Sequence, residues 1–234
     1  MRYILLPLLV IGLTLLYYIL RIIHTKSISK ELMRATTLYN NESNDYTKTL
    51  LILGDSTAVG VGASTSTDSI PALLAKKINA TYVENHAVSG SVVASLPQQI
   101  QKIKRGHYNV ILVQIGANDI VARNDVVEVN AQLEVLLTNL RTKADTLIFF
   151  SAGNLGGARA IPFFLKPYYR NLSLDYHKYF QALADKLRIT YVNLYEDPKV
   201  DPFITNSETY FARDGFHPSS QGYARWFEMI EKKL

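Results

Sequence analysis

Hydrophobic positions along this chain change their spacing, and each spacing predicts a different kind of element. From Tyr3 to Leu20 the chain runs for 18 residues without a charge. As a helix this run rises about 27 Å, close to the thickness of a bilayer core, so it predicts a membrane-spanning helix. Tyr17 and Tyr18 near its far end, with Arg21 and Lys26 beyond, fit an aromatic belt and its flanking cations at a membrane interface. A secretory signal has a shorter apolar core and a small-residue cleavage point soon after it, for which Ser27-Ile28-Ser29 is the only candidate. An uncleaved anchor over residues 1–24 is therefore the expectation, and a cleaved signal sequence the alternative. Residues 25–47 carry little apolar periodicity and end in Asn, Ser and Asp, which predicts a tether holding about one helical turn.

From residue 48 onward, short apolar runs alternate with amphipathic ones. The runs at Thr49–Leu53, Thr81–Asn85, Val110–Ile115, Thr146–Phe150 and Ile189–Leu194 predict five strands. Between and after them, stretches around Ile70–Ile78, Val92–Lys104, Val126–Lys143, Tyr168–Leu187 and Ser219–Lys233 predict helices. Strands that are apolar on both faces and separated by helices imply a parallel sheet covered on both sides. The expected fold is α/β, a three-layer α/β/α sandwich over residues 48–234 with a five-stranded parallel sheet, preceded by the transmembrane helix. In such sheets a ligand binds at the carboxyl ends of the strands, so the residues just after each strand are the candidates for chemistry.

Composition narrows the function classes. Of 234 residues 48% are apolar and 19% charged, enough to bury a core and unlike a disordered chain. The net charge is +5, but Arg2, Arg21 and Lys26 sit in or beside the first apolar segment, and without them 22 basic residues face 20 acidic ones. That balance argues against a nucleic-acid partner. Cysteine is absent, which excludes disulfides, thiolate nucleophiles and cysteine-ligated zinc.

Polar residues cluster at the strand ends. Gly54-Asp55-Ser56-Thr57 follows the first strand, where a serine on a strand-to-helix turn presents its hydroxyl at the sheet edge and its own N–H toward a developing anion. Taken alone, Ser56 also reads as an ordinary helix N-cap. No Lys follows Gly60 or Gly62 to make a phosphate loop, and Gly60-Val61-Gly62 lacks the third glycine of a dinucleotide site. Gly90 follows the second strand, and Gly116-Ala117-Asn118-Asp119 the third, supplying an amide able to donate to an oxyanion or to form a turn. Asp214-Gly215-Phe216-His217 precedes the last helix, and an acid beside an imidazole can fix its tautomer and stabilise its cation.

In this order the four elements resemble the successive blocks of the SGNH, or GDSL, hydrolase family, over about residues 48–230. The resemblance implies a flavodoxin-like sheet and hydrolysis of carboxylic esters and some thioesters. Carried onto this chain, it implies Ser56 as nucleophile, His217 as general base and Asp214 as its orienter. The oxyanion hole would be the Ser56 and Gly90 N–H groups with the Asn118 side chain. Thr57 stands where the family motif has Leu, which bears on the subgroup rather than on the chemistry. No cofactor and no metal are implied. A small-molecule or lipid ester is the expected substrate. O-acetyl ester hydrolysis or acyl transfer on cell-envelope carbohydrate is the alternative, and a noncatalytic binding module on the same fold a further one. Exported members of the family suggest a catalytic domain outside the cytoplasmic membrane, whereas Arg21, Lys26, Lys30 and Arg34 after the apolar segment argue for the inside.

Two groups of residues remain. Phe163, Phe164, Tyr168 and Tyr169 lie in a long connection and could wall an acyl pocket, touch a bilayer or pack on the sheet. His24, His86, His107 and His177 show no metal-ligand spacing and no evident acidic partner for His86, so structural or surface roles are expected of them.

Overall fold

Every residue of β1 (Thr49–Gly54) is buried, so neither face of that strand meets water. A strand of this kind needs cover on both sides. The computed structural model describes residues 2–234; Met1 and the side chains of residues 2–8, which open the expected membrane segment, lie outside the described part. In it β1 pairs in parallel with β2 (Tyr82–Asn85) and β3 (Tyr108–Gln114), and β4 (Ala144–Phe150) and β5 (Thr190–Val192) extend the sheet. The strand order is β2-β1-β3-β4-β5, with the register carrying Leu51 beside Ile111 and Ile111 beside Leu147. The five-stranded parallel α/β architecture is thus as expected.

The helices are α1 (Arg2–Ala35), α2 (Ser56–Val59), α3 (Ile70–Lys77), α4 (Leu96–Ile100) and α5 (Ala117–Ala122), then α6 (Val126–Arg141), α7 (Lys166–Leu187), α8 (Pro202–Thr205), α9 (Ser207–Tyr210) and α10 (Ser220–Glu231). α3 packs on α10, and α6 on α7. In α6 the buried Val129, Leu133, Leu137 and Leu140 form one stripe, and the Asp125 side chain caps its start through the Val127 and Glu128 N–H groups. In α7, Phe180 reaches the sheet and meets Phe149 edge to face at 5.1 Å.

Two elements differ from the sequence expectation. The Val92–Lys104 stretch is a single turn of 3₁₀ helix at Val93–Ser95 followed by α4, because Pro97 has no N–H for the carbonyl of the preceding turn and suits only a helix start. Residues 25–35, expected in a tether, continue α1 without a break. They contain neither Gly nor Pro, and their helix is held by docking: Leu32 and Met33 pack on the core, and Glu31 pairs with Arg213 at 2.6 Å. Tertiary contact replaces the apolar periodicity that the segment lacks. Beyond it, Asn41 exchanges backbone hydrogen bonds with Val83 and so covers part of the β2 edge.

One helix among the described residues, Leu9–Ala35, is long and apolar enough to cross a membrane, a length and composition that an anchor shares with a signal sequence. Residues 9–17 of it are all exposed.

Candidate active site

β1 delivers the first site residue through a close approach. Gly54 sits at φ +154°, and a Cβ there would lie 2.1 Å from the Gln114 carbonyl of β3, so only glycine lets the chain turn at that spot. Asp55 then caps α2, its Oδ1 accepting from the Thr57 N–H at 2.9 Å and the Thr57 hydroxyl at 2.7 Å. Burial pushes this carboxyl up to about 6, against the pull of those two bonds. Ser56 is the first residue of α2, fixed at the carboxyl end of β1.

The other members arrive on the loop before α10. Gly62, at φ +96°, would carry a Cβ only 2.3 Å from the Pro218 carbonyl and 3.1 Å from the His217 Cβ, so its missing side chain lets that loop close onto α2. His217 Nε2 lies 2.9 Å from Ser56 Oγ, and His217 Nδ1 lies 2.6 Å from Asp214 Oδ2. A carboxylate can only accept, so Nδ1 carries the proton and Nε2 is left to accept from the Ser56 hydroxyl. Asp214 Oδ1 accepts from the Phe216 and His217 backbone N–H groups, both at 3.0 Å. Burial alone would raise the Asp214 pKa. The hydrogen bond and charge of His217, the Phe216 N–H and the Ser29 hydroxyl outweigh it and hold the group at about 2.

Ser56, His217, Gly90 and Asn118 share one cavity of about 600 Å³. Asn118 donates one amide hydrogen to the Ser91 carbonyl at 2.8 Å, which leaves its second for the cavity. Among the described residues, the Ser56 and Gly90 backbone N–H groups have no hydrogen-bond partner. Asp119 faces away from this chemistry: it accepts from the Val93 N–H and the Asn124 amide, both at 3.0 Å, and so fastens the loop that carries Gly90. Such an arrangement can deprotonate a hydroxyl at one point and stabilise an oxyanion a few ångströms away.

Phe163 and Phe164 do not line the cavity. They are exposed and stack with Tyr18 of α1, Phe164 at 5.2 Å. Ile161, Pro162 and Leu165 from the same connection, with Tyr169 from the first turn of α7, face the cavity instead. The short 3₁₀ helix Phe163–Leu165 turns the two phenylalanines outward while their neighbours point in.

Two further residues escape a reading of the sequence. Gln99 of α4 grips Gly54 from both sides, donating to its carbonyl and accepting from its N–H, each at 2.8 Å, and no local pattern marks a lone buried Gln. Ser29 lies in the expected tether, and the signal that could have found it is the shared face of Ile22, Ser29 and Met33 on a continuing helix. His86 does have an acidic partner: Glu84, two residues earlier, approaches its Nε2 at 2.5 Å. In a strand, residues two apart share a face. His177 is buried between Tyr191 and the Ala152 carbonyl, and burial lowers it to about 4, a structural role. No group of three or more potential metal ligands occurs among the described residues.

The sequence model of the GDSL-like Lipase/Acylhydrolase family matches residues 52–225, and the chain belongs to that family. It is accordingly an ester hydrolase. No curated protein matches the sequence. Solved structures share the fold at low identity. A phospholipase A1 from Streptomyces albidoflavus superposes with a TM-score of 0.62 at 14% identity, covering 80% of this chain and 99% of its own. A lipolytic G-D-S-L family member from Veillonella parvula gives 0.63 at 16%, covering 80% and 97%. A mutant acetylxylan esterase from Geobacillus stearothermophilus gives 0.58 at 18%, covering 80% and 94%.

Proposed function

We propose that this chain is a membrane-anchored serine hydrolase that cleaves carboxylic esters through an acyl-enzyme on Ser56. The observation that carries the reading is the unbroken line Ser56 Oγ, His217 Nε2, His217 Nδ1, Asp214 Oδ2, with steps of 2.9 and 2.6 Å, at the wall of a cavity. His217 takes the hydroxyl proton as Ser56 Oγ attacks the ester carbonyl. The resulting oxyanion is received by the Ser56 and Gly90 N–H groups and the free Asn118 amide hydrogen. Collapse breaks the ester bond, and His217 returns the proton to the leaving alkoxide. Water then attacks the acyl-serine by the same route and regenerates Ser56. Each proton is accounted for by the imidazole, so no cofactor is called on.

A lipid or other acyl ester is the favoured substrate, because Ile22, Val121, Ile161, Pro162 and Leu165 give the cavity an apolar lining, with the cations Lys26 and Arg123 among them. The apolar stretch of α1 is the anchor, and the docking of residues 21–33 onto the hydrolase domain over residues 48–234 supports an uncleaved one. Cleavage near Ser27–Ser29 would remove the part of them made by Arg21, Ile22, Thr25 and Lys26. The catalytic domain is assigned to the exterior of the cytoplasmic membrane, by analogy with exported family members.

Hydrolysis of aryl esters of graded acyl length by the full chain in detergent tests the substrate. Turnover rising with chain length is expected, and turnover confined to acetyl would transfer the assignment to O-acetyl esters. Protease added to intact spheroplasts should remove the catalytic domain; protection until the membrane is permeabilised would reverse the topology.

A further inference from the structure

α1 does not end where its apolar stretch does. Its later turns lie along the cavity that holds Ser56, and Ile22, Thr25, Lys26, Ser29 and Met33 all line it. Their offsets of three, four, seven and eleven residues from Ile22 put them on one helical face. The helix is pinned there at both ends of this face: the Arg21 guanidinium donates to the Arg159 carbonyl, and Glu31 pairs with Arg213. Between these pins, the half-buried Ser29 Oγ donates to Asp214 Oδ2 at 2.8 Å, the same oxygen that faces His217 Nδ1.

We infer that α1 is one wall of the active site and that Ser29 is a positioning residue for Asp214, so that the helix which tethers the enzyme also completes it. The inference rests on the triad reading above. Ser29 lies outside residues 52–225, the part that the family model matches, so it is an addition to the site made by the segment before the domain. Asp214 Oδ1 is already fixed by two backbone N–H groups, whereas Oδ2 has only His217 and Ser29. A hydroxyl donating to that oxygen fixes the carboxylate plane in which His217 must lie and occupies the side from which water would otherwise compete. Its loss lowers the rate of the proton-transfer step and leaves substrate binding to the other wall residues, which predicts an effect on kcat and not on KM. The exposed Ile22 stands at the rim of the same wall, where a larger side chain narrows the room for an acyl chain.

The test uses the full chain in detergent micelles. Ser29→Ala should lower kcat about three- to tenfold with KM and melting temperature unchanged, a range set by one hydrogen bond to a charged group that keeps three others. Ser29→Thr, which retains the hydroxyl, should stay within about twofold of wild type. Ile22→Trp should shift the preferred aryl ester toward shorter acyl chains, lowering turnover of long-chain esters more than that of acetyl esters. The positioning role is overturned if Ser29→Ala keeps wild-type kcat, or if it loses melting temperature without losing kcat, or if Ser29→Thr falls as far as Ser29→Ala. An unaltered chain-length profile in Ile22→Trp overturns the wall. Activity retained by Ser56→Ala would instead remove the triad reading itself, whereas an inactive Ser56→Ala beside an unimpaired Ser29→Ala removes only the inference about α1.

Discussion

Of the three histidine–carboxylate pairs among the described residues, His107–Asp145 is exposed and the other two have a buried acid, so that nearly the same contact stands in two different settings. His217 meets Asp214 at 2.6 Å, and His86 meets Glu84 at 2.5 Å. Both carboxylates are buried and both are held below the usual carboxylate range: burial pushes each one up, and hydrogen bonds reverse it. The difference lies in what else each pair touches. Glu84 accepts from the Tyr108 and Tyr82 hydroxyls and the Lys104 N–H, a packed corner, and the second nitrogen of His86 has no hydroxyl partner among the described residues. The second nitrogen of His217 faces Ser56 Oγ and an open cavity. Pairing with an acid orients an imidazole; chemistry also needs a nucleophile on its far side and room for a substrate.

The largest predicted effect breaks this comparison directly. Ser56→Ala should keep its fold and lose at least about 10³-fold in esterase activity, together with all labelling by a fluorophosphonate, because covalent catalysis is lost while oxyanion donors remain. His86→Ala should stay within about twofold of wild type. Label that persists in Ser56→Ala and maps to another serine would sink the assignment, and a His86→Ala variant as inactive as Ser56→Ala would erase the distinction between the pairs.

Asn118→Ala should come next, lowering kcat by about 10² to 10³ with a much smaller change in KM, since an oxyanion donor of the kind proposed acts mainly in the transition state. An unimpaired kcat would leave Asn118 as the residue that ties α5 to the Ser91 carbonyl and nothing more.

The Glu84 pair should respond in stability instead. Glu84→Ala leaves the Tyr108 hydroxyl and the Lys104 N–H without their acceptor, which is expected to cost roughly 2–4 kcal/mol in urea unfolding while the folded enzyme keeps its rate. A loss of rate per folded molecule would make this corner part of the site.

A third carboxylate sharpens the contrast. Asp55 is shifted opposite to Asp214: burial raises it to about 6. Its folded form therefore takes up a proton that the unfolded chain releases down to its ordinary pKa, so its contribution favours folding at low pH and is lost as pH rises through about 6. Between pH 5 and 8 this removes roughly 1 kcal/mol. Asp55→Asn keeps the cap without the charge, so the gap, wild-type stability minus variant stability, should fall by about that amount over the same range. A gap independent of pH would mean that Asp55 titrates near its ordinary value.

Much of this protein was legible in its sequence by itself. The alternation that predicts five buried strands, the glycines at strand ends and the Ser56, Asn118, Asp214 and His217 blocks are local patterns, because strand period, helix period and tight turns are properties of neighbouring residues. The boundaries of α4 and the end of α1 were less legible, since one depends on a single proline and the other on docking. Only the tertiary structure could decide which segments meet: Ser56 with His217 across 161 residues, Ser29 with Asp214 across 185, and the outward turn of Phe163 and Phe164 against Tyr18. Those contacts depend on where α1 and the connection before α7 settle on the sheet. That is a matter of packing between distant surfaces, which no local period encodes.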